Sequence, residues 1–495
     1  MPSVPKRIQF SVNLITIQLC RLSMNSFFES LKRNGATYSV YLTVAFISLV
    51  YSFIFYPFNI GMGQDFALLK ELGYILRETK FENVNYFSTG FGFQSMLGVL
   101  ISFTGFYGYK ITFVLLYLSL LANIHLMLKR LHRMNCYAIS YLFFLSIPIF
   151  VYADLSFLTG AALSVYMLSR SINVSRFGSI ELIVFALLAH IYPLLAIVVF
   201  PIVLLLGLSK KTSERDSAIA GTIGSLLPGV VLVSIWLAKA VIYLNTYELA
   251  FSAARVVDSI IPLLSFPFIS SEFDNLRVLL PIALLVLPFL SGYSLTRNKI
   301  NYIIFLYFLG LITLLPRGIE GYFETPVELR MLLLGAWVLV LERRREYALP
   351  MWLVPITCII FMYSYVSSSV DYDKEVGAAS KTISNIRNAD RVFAQIIESE
   401  GTGVYLSSKG VAELSVGVQN SSIRLYRPFW LDSPLKEGRD GWRDNPNNKF
   451  PWFNNVTSSQ FDHYLLRNCD KFRHELLGEN EKAANGCWRL YSVEQ

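Results

Sequence analysis

Two carboxylates lead the residues whose types and positions could do chemistry. Asp65 lies in the stretch Gly61, Met62, Gly63, Gln64, Asp65, Phe66, and Asp154 in Val151, Tyr152, Ala153, Asp154, Leu155. Each stands at the edge of a long apolar stretch, where an ionisable group is costly unless it faces a cavity, a partner or water. A carboxylate so placed can take a proton from a hydroxyl as a bond forms, and a pair can hold a divalent ion. Helix capping is the competing role, because Asp is among the best N-cap residues. Gly63 and Gln64 would supply the turn before Asp65, and Asp154 would open the next span. The distance between the two acids does not follow from the sequence.

Positive groups are the second set. A departing phosphate needs its developing charge matched by Arg, Lys or a metal. Arg317 and Arg330 bracket an acid-rich segment, and the following span needs residues near Arg330 to reach full length, so Arg330 falls close to the hydrocarbon edge. Arg255 and Lys239 lie on the same side, and His190 sits beside Pro193. Snorkelling, or pairing with Glu328, Glu324 or Asp258, is the alternative for the cations; a hydrogen-bonded place in the bundle is the alternative for His190. Further on, Trp430, Trp442 and Trp452 stand in aromatic and polar stretches that could stack on sugar rings or fill a small core. The chain has no CxxC, HExxH or Walker loop, so redox, zinc and nucleoside triphosphate chemistry lack a motif. A divalent cation such as Mg2+ or Mn2+ is the one cofactor the acids suggest.

These residues must be positioned by membrane spans. Of 495 residues, 54% are hydrophobic and only 16% charged, against about 25% charged in soluble domains. Stretches such as 41–56, 111–128 and 218–238 approach or exceed the roughly 18 apolar residues that cross a bilayer, and about eleven spans are expected. The net charge of +8 is scattered in small clusters between apolar stretches, which reads as topology rather than a nucleic-acid surface. Basic connections at 129–133, 170–176, 210–215, 297–299 and 343–345 are expected inside, and the acid-bearing ones outside. The alternation holds only if 180–207 is a hairpin of two short helices, breaking near His190 to Pro193. Between the first span and the next full crossing, Asp65 to Arg77 is amphipathic through Phe66, Leu68, Leu69, Leu72 and Leu76, and is expected along the membrane surface.

The organisation expected is a cytoplasmic N-terminal segment (1–37), a transmembrane module (38–367) and an extracytoplasmic domain (368–495). No removable signal peptide is read at the start, and Met24 opens a more typical N-terminus, so residues 1–23 read as an upstream extension or an interfacial helix. The fold expected is therefore an all-α polytopic bundle with a small C-terminal α/β domain. A helical pattern runs through Ile383, Ile386, Val392, Phe393, Ile396 and Ile397, followed by strand-like pieces at 403–406 and 422–426. Cys469 and Cys487 both fall in this domain, where an oxidising exterior would let them pair. Cys20, Cys136 and Cys358 sit in or beside apolar stretches and read as packing residues.

A multi-span N-terminal module, an acid in the first long outer loop and an outward C-terminal domain together resemble the GT-C superfamily of membrane glycosyltransferases. Within it, the chain looks most like bacterial and phage O-antigen glucosyltransferases that alter serotype. The resemblance implies a bacterial inner-membrane enzyme with cytoplasmic N-terminus and periplasmic C-terminus. It would transfer a sugar, glucose by this likeness, from undecaprenyl phosphate or a similar carrier to a lipid-linked polysaccharide such as the O-antigen of lipopolysaccharide, with inversion. Asp65 matches the catalytic acid of the first outer loop and Asp154 a second acid of a later loop. Some members carry adjacent Asp-Glu there, whereas Phe66 follows Asp65. An O-antigen polymerase or ligase is the nearest rival, although such enzymes place their main outer loop between spans. A lipid-linked sugar transporter or flippase is the rival of another class, favoured by inverted repeats or midplane charges.

Overall fold

The computed structural model describes residues 62–78, 90–130, 154–173, 177–208, 212–244, 293–297, 299–314, 374–384, 391–396, 463–467 and 481–492, with short pieces at 286, 289, 318–319, 323–324, 340–343, 386 and 424–425. Helix α1 (Met62–Arg77) carries Asp65 in its first turn and Arg77 in its last, charges that match the helix dipole. Phe66, Leu69, Leu72 and Ile75 recur at helical spacing and are buried. The sequence assigns this apolar face to the membrane surface; in the fold, protein covers it. The partner is α2 (Phe91–Arg130), and the two backbones touch at Gly73 and Gly98. A Cβ on Gly73 would come 2.0 Å from the Gly98 carbonyl oxygen, so neither helix tolerates a side chain at the crossing.

Helix α2 has 40 residues and would extend about 60 Å if straight, twice the hydrocarbon thickness. It is interrupted at Gly105, whose φ of 65° and ψ of −153° lie in a region open essentially to glycine alone. The arm 91–104 packs with α1, and the arm 106–130 carries the apolar stretch read as a span. Helix α3 (Leu155–Asn173) lies beside that second arm. Tyr109 and Leu155, near the two N-terminal ends, meet a common partner, and further along the Asn123 side chain donates to the Ala162 carbonyl. The two helices therefore run in the same direction, with Arg130 and Arg170 toward their far ends.

Helices α4 (Ser179–Ile191) and α5 (Pro193–Leu208) are separated at Tyr192, within the 190–193 break expected from the sequence. Pro193 lacks an N–H and forces the preceding residue out of the helical region; Tyr192 takes φ −146° and ψ 79°. Helix α6 (Thr212–Leu244) packs on α4, where a Cβ on Gly229 would meet the Phe185 ring at 2.3 Å. Among the described residues two helical stretches, Phe91–Ile124 and Leu155–Ile172, are long and apolar enough to cross a membrane, and shorter apolar helices accompany them. Leu115, Ile183, Leu227 and Val231 point outward and are more than half exposed, as side chains facing hydrocarbon would be. The expected span at 41–56 and the last one before 368 lie outside the described residues.

Strand β1 (Tyr293–Leu295) precedes α7 (Lys299–Leu314); a short ribbon follows from β2 (Gly318–Ile319) and β3 (Phe323–Glu324). Strand β4 (Leu341–Arg343) pairs antiparallel with β1, setting Arg343 opposite Tyr293 and Leu341 opposite Leu295.

Near the C-terminus, helix α8 (374–383) accompanies a five-stranded mixed sheet. Its strands are β5 (Arg391–Ile396), β6 (Arg424–Leu425), β7 (His463–Arg467), β8 (Glu481–Asn485) and β9 (Trp488–Ser492), in the order β6, β5, β7, β9, β8. The helical pattern extended through Ile397 in the sequence is corrected here, since the helix ends at 383 and residues 391–396 form a strand. Short apolar runs do not distinguish the two states; parallel pairing to both β6 and β7 decides it. Arg467 grips Glu375 through two bonds of 3.0 Å, and the Trp488 indole N–H donates to the same carboxylate at 2.8 Å, fixing α8 to the sheet.

Candidate functional site

The site forms where α1, the second arm of α2 and the start of α3 meet. Asp65 is in the first turn of α1, but the helix begins before it, so its side chain is not the N-cap. It leaves its own helix instead. Its Oδ2 accepts the Tyr109 hydroxyl at 2.6 Å and the Leu155 backbone N–H at 3.2 Å. Tyr109 sits one turn beyond the Gly105 break and is fully buried. Phe66 packs edge-on against its ring, with centroids 5.7 Å apart, and against Phe106 at 5.0 Å.

Asp154 does cap. Its Oδ1 accepts the Phe157 N–H, its carbonyl accepts the Leu158 N–H, and helix α3 begins behind it. N–H groups of one helix start thus serve two acids: Leu155 serves Asp65 and Phe157 serves Asp154. Acids separated by 89 positions in the chain become neighbours through the orphan donors of a single helix.

Neither acid has an ion-pair partner among the described residues, although both keep part of their surface open. Burial pushes the Asp65 carboxyl up to about 7, and the nearby Asp154 charge adds to the rise. The Tyr109 and Leu155 hydrogen bonds oppose it. Asp154 is raised as well, chiefly by burial and against the pull of its two backbone donors. Burial thus favours the protonated form of both acids, and the Asp154 charge adds to that effect at Asp65.

Two lysines that the sequence reading passed over border the site. Lys110 follows Tyr109, is 3% exposed and lies over the Phe106 ring at 4.8 Å; Lys70 lies over Phe66 at 5.7 Å. Both carry further interactions. Lys110 was detectable as a charge at the edge of the apolar stretch beginning at Ile111. Tyr109 gave no such signal, because an aromatic in an apolar segment reads as core.

Of the other sequence-derived catalytic and substrate-binding candidates, His190 alone has its side chain among the described residues. His190 closes α4, with its Nε2 3.4 Å from the place a Cβ would take on Gly92. Lys239 lies on α6, with its side chain outside the described residues, as are Arg255, Arg317, Arg330, Trp430, Trp442 and Trp452 entirely. Cys487 is in a disulfide; Cys469, its expected partner, lies outside the described residues. No group of three or more His, Cys, Asp or Glu gathers among the described residues, and one oxygen of each site carboxylate already accepts hydrogen bonds. Compared with known protein families, with curated proteins and with solved structures, this chain finds no match.

Proposed function

We propose that this protein is an inverting membrane glycosyltransferase that uses a polyprenyl-phosphate-linked sugar on the outer, periplasmic face of a bacterial inner membrane. The observation that carries the reading is the Asp65 carboxyl, held by donors from two helices, raised to about 7 and set at the N-terminal ends of two apolar helices. A general base works best when its pKa lies near the working pH. Asp65 would take the proton of an acceptor hydroxyl as its oxygen bonds to the anomeric carbon from the opposite face. The bond from that carbon to phosphate breaks with its electrons, leaving a polyprenyl phosphate. Asp154 holds the Asp65 affinity for protons high and fixes the helix start. Arg317 and Arg330 remain the proposed phosphate partners, and the acceptor proposed is a lipid-linked polysaccharide such as O-antigen.

The test is transfer of a radiolabelled sugar from its lipid carrier to acceptor in membranes containing the full chain, joined to mass spectrometry of the surface polysaccharide with and without the protein. Expected is a sugar whose addition depends on the protein; an unchanged polysaccharide with no transfer would overturn the reading. One observation favours a second reading. A buried carboxyl raised to about 7 beside a second acid is also what a proton-coupled transporter of a lipid-linked sugar would use. Such a protein would move labelled carrier across vesicles without cleaving the sugar from its phosphate.

A further inference from the structure

We infer that Tyr109 is a positioning residue for Asp65: with the Leu155 N–H it ties up Oδ2, so that Oδ1 is the oxygen presented to the acceptor hydroxyl. The inference rests on the proposed general-base role of Asp65. A carboxylate free to turn about its last bond offers either oxygen in many directions, and each misdirected orientation lowers the fraction ready to react. Here Oδ2 has two donors from two different helices, the Tyr109 hydroxyl at 2.6 Å and the Leu155 amide at 3.2 Å. No hydrogen bond to Oδ1 is found among the described residues. That leaves one oxygen held and one available.

The holding group is itself held. Tyr109 has no exposed surface, and its ring meets the edge of Phe66, the residue that follows Asp65. One dipeptide therefore grips the tyrosine twice: Phe66 fixes the ring and Asp65 receives the hydroxyl. Leu155 cannot shift independently, because the neighbouring turn is capped by Asp154. Of the charged groups on the packed elements, Asp154 caps α3, Lys110 follows Tyr109 and lies over Phe106, Lys70 lies over Phe66, and Arg77 lies over Phe103 at the far end of α1. The tyrosine also stabilises the ionised form of Asp65, which keeps more of it ready as a base.

Losing the donor raises the Asp65 midpoint in either role, so the roles separate in alkaline buffer, where Asp65 is ionised in every variant: a purely structural tie leaves transfer per folded molecule there at the wild-type level, and lost positioning does not. Tyr109→Phe keeps the ring and removes the donor. Replacing Tyr109 with 3,5-difluorotyrosine keeps the donor and strengthens it, which also covers a Phe variant that fails to fold. Two readouts are taken: the pH profile of sugar transfer in membranes, and the infrared carbonyl band of the buried protonated acid in purified full-length protein, with Asp65→Asn identifying that band. Expected for Tyr109→Phe is a band midpoint raised by about one pH unit and a loss of about tenfold in transfer that persists in alkaline buffer; full recovery of transfer there would overturn the inference. The fluorinated residue should move the midpoint down. Midpoints that stay in place in both variants would overturn the inference, whatever the transfer rates. Full transfer in Asp65→Asn, with the midpoints shifted as expected, would instead remove the base role and leave Tyr109 orienting a carboxylate of another use.

Discussion

The two ends of α3 treat a carboxylate in opposite ways. Toward its C-terminal end, Glu181 of α4 is 2% exposed and meets the Arg170 guanidinium at 2.6 Å, while its other oxygen accepts the Gly178 N–H. Toward its N-terminal end, Asp65 meets a phenol, an amide and a second acid. A structural carboxylate is neutralised by a cation; one buried beside another acid is instead pushed toward its protonated form. Glu375 repeats the first pattern, with Arg467 and Trp488 as donors. The contrast is what singles out Asp65 and Asp154 as the pair with chemistry to do.

The sharpest way to break the contrast is Asp65→Asn, which keeps an accepting oxygen for Tyr109 and Leu155 but removes the base. Sugar transfer per unit protein should fall on the order of 100-fold or more. Stability should move the other way. A carboxyl whose folded value is raised binds its proton more tightly in the native state, so its contribution is full below the unfolded value of 3.8 and lost as pH rises toward about 7. Above neutrality Asp65→Asn should therefore melt several degrees higher than wild type, by scanning fluorimetry in detergent. Equal melting at all pH values would remove the claim that this acid is held at a cost.

At the other end, Arg170→Ala leaves Glu181 buried without its guanidinium and should destabilise the protein by about 2 kcal/mol, the partial exposure of Arg170 softening the loss. Transfer per folded molecule should stay near wild type, since the pair lies far along α3 from Asp65. A catalytic loss as large as that of Asp65→Asn would erase the distinction between the two ends. Gly73→Ala tests the scaffold between them. Its methyl meets backbone rather than a flexible side chain, so α1 must move from α2 at a cost of about 1–3 kcal/mol, measured by denaturant melting. Transfer should fall with it, because α1 carries Asp65. The smallest effect belongs to Asp154→Asn, which keeps the cap but removes the like charge. The acid limb of the transfer profile should move to lower pH, leaving the variant relatively more active below neutrality. A limb moved upward would show that Asp154 does not raise Asp65.

Much of the site's inventory was legible in the sequence. Asp65 and Asp154 stood out because acids at apolar edges need a reason, and the break at Tyr192 followed from Pro193. The capping role was correct for Asp154 and wrong for Asp65, since one helix begins behind its acid and the other ahead of it. Tyr109 was invisible because a tyrosine in an apolar segment has the same signature whether its hydroxyl is idle or bonded. The hairpin of β8 and β9 went unread although Asn485 and Gly486 mark a tight turn, with Gly486 at φ 57°.

What the sequence determined by itself is local: which residues form apolar helices, where proline ends one, and which charges need explaining. These follow from propensity, periodicity and the cost of an unpaired ion, all properties of a few neighbouring residues. What only the tertiary structure decided is the company those residues keep. Gly73 and Gly98 let two backbones touch, Gly105 redirects α2, and the exposed amides of α3 gather both acids. The Gly73–Gly98 crossing and the Leu155–Asp65 bond join positions 25 and 90 residues apart and depend on packing between helices, which no local pattern encodes.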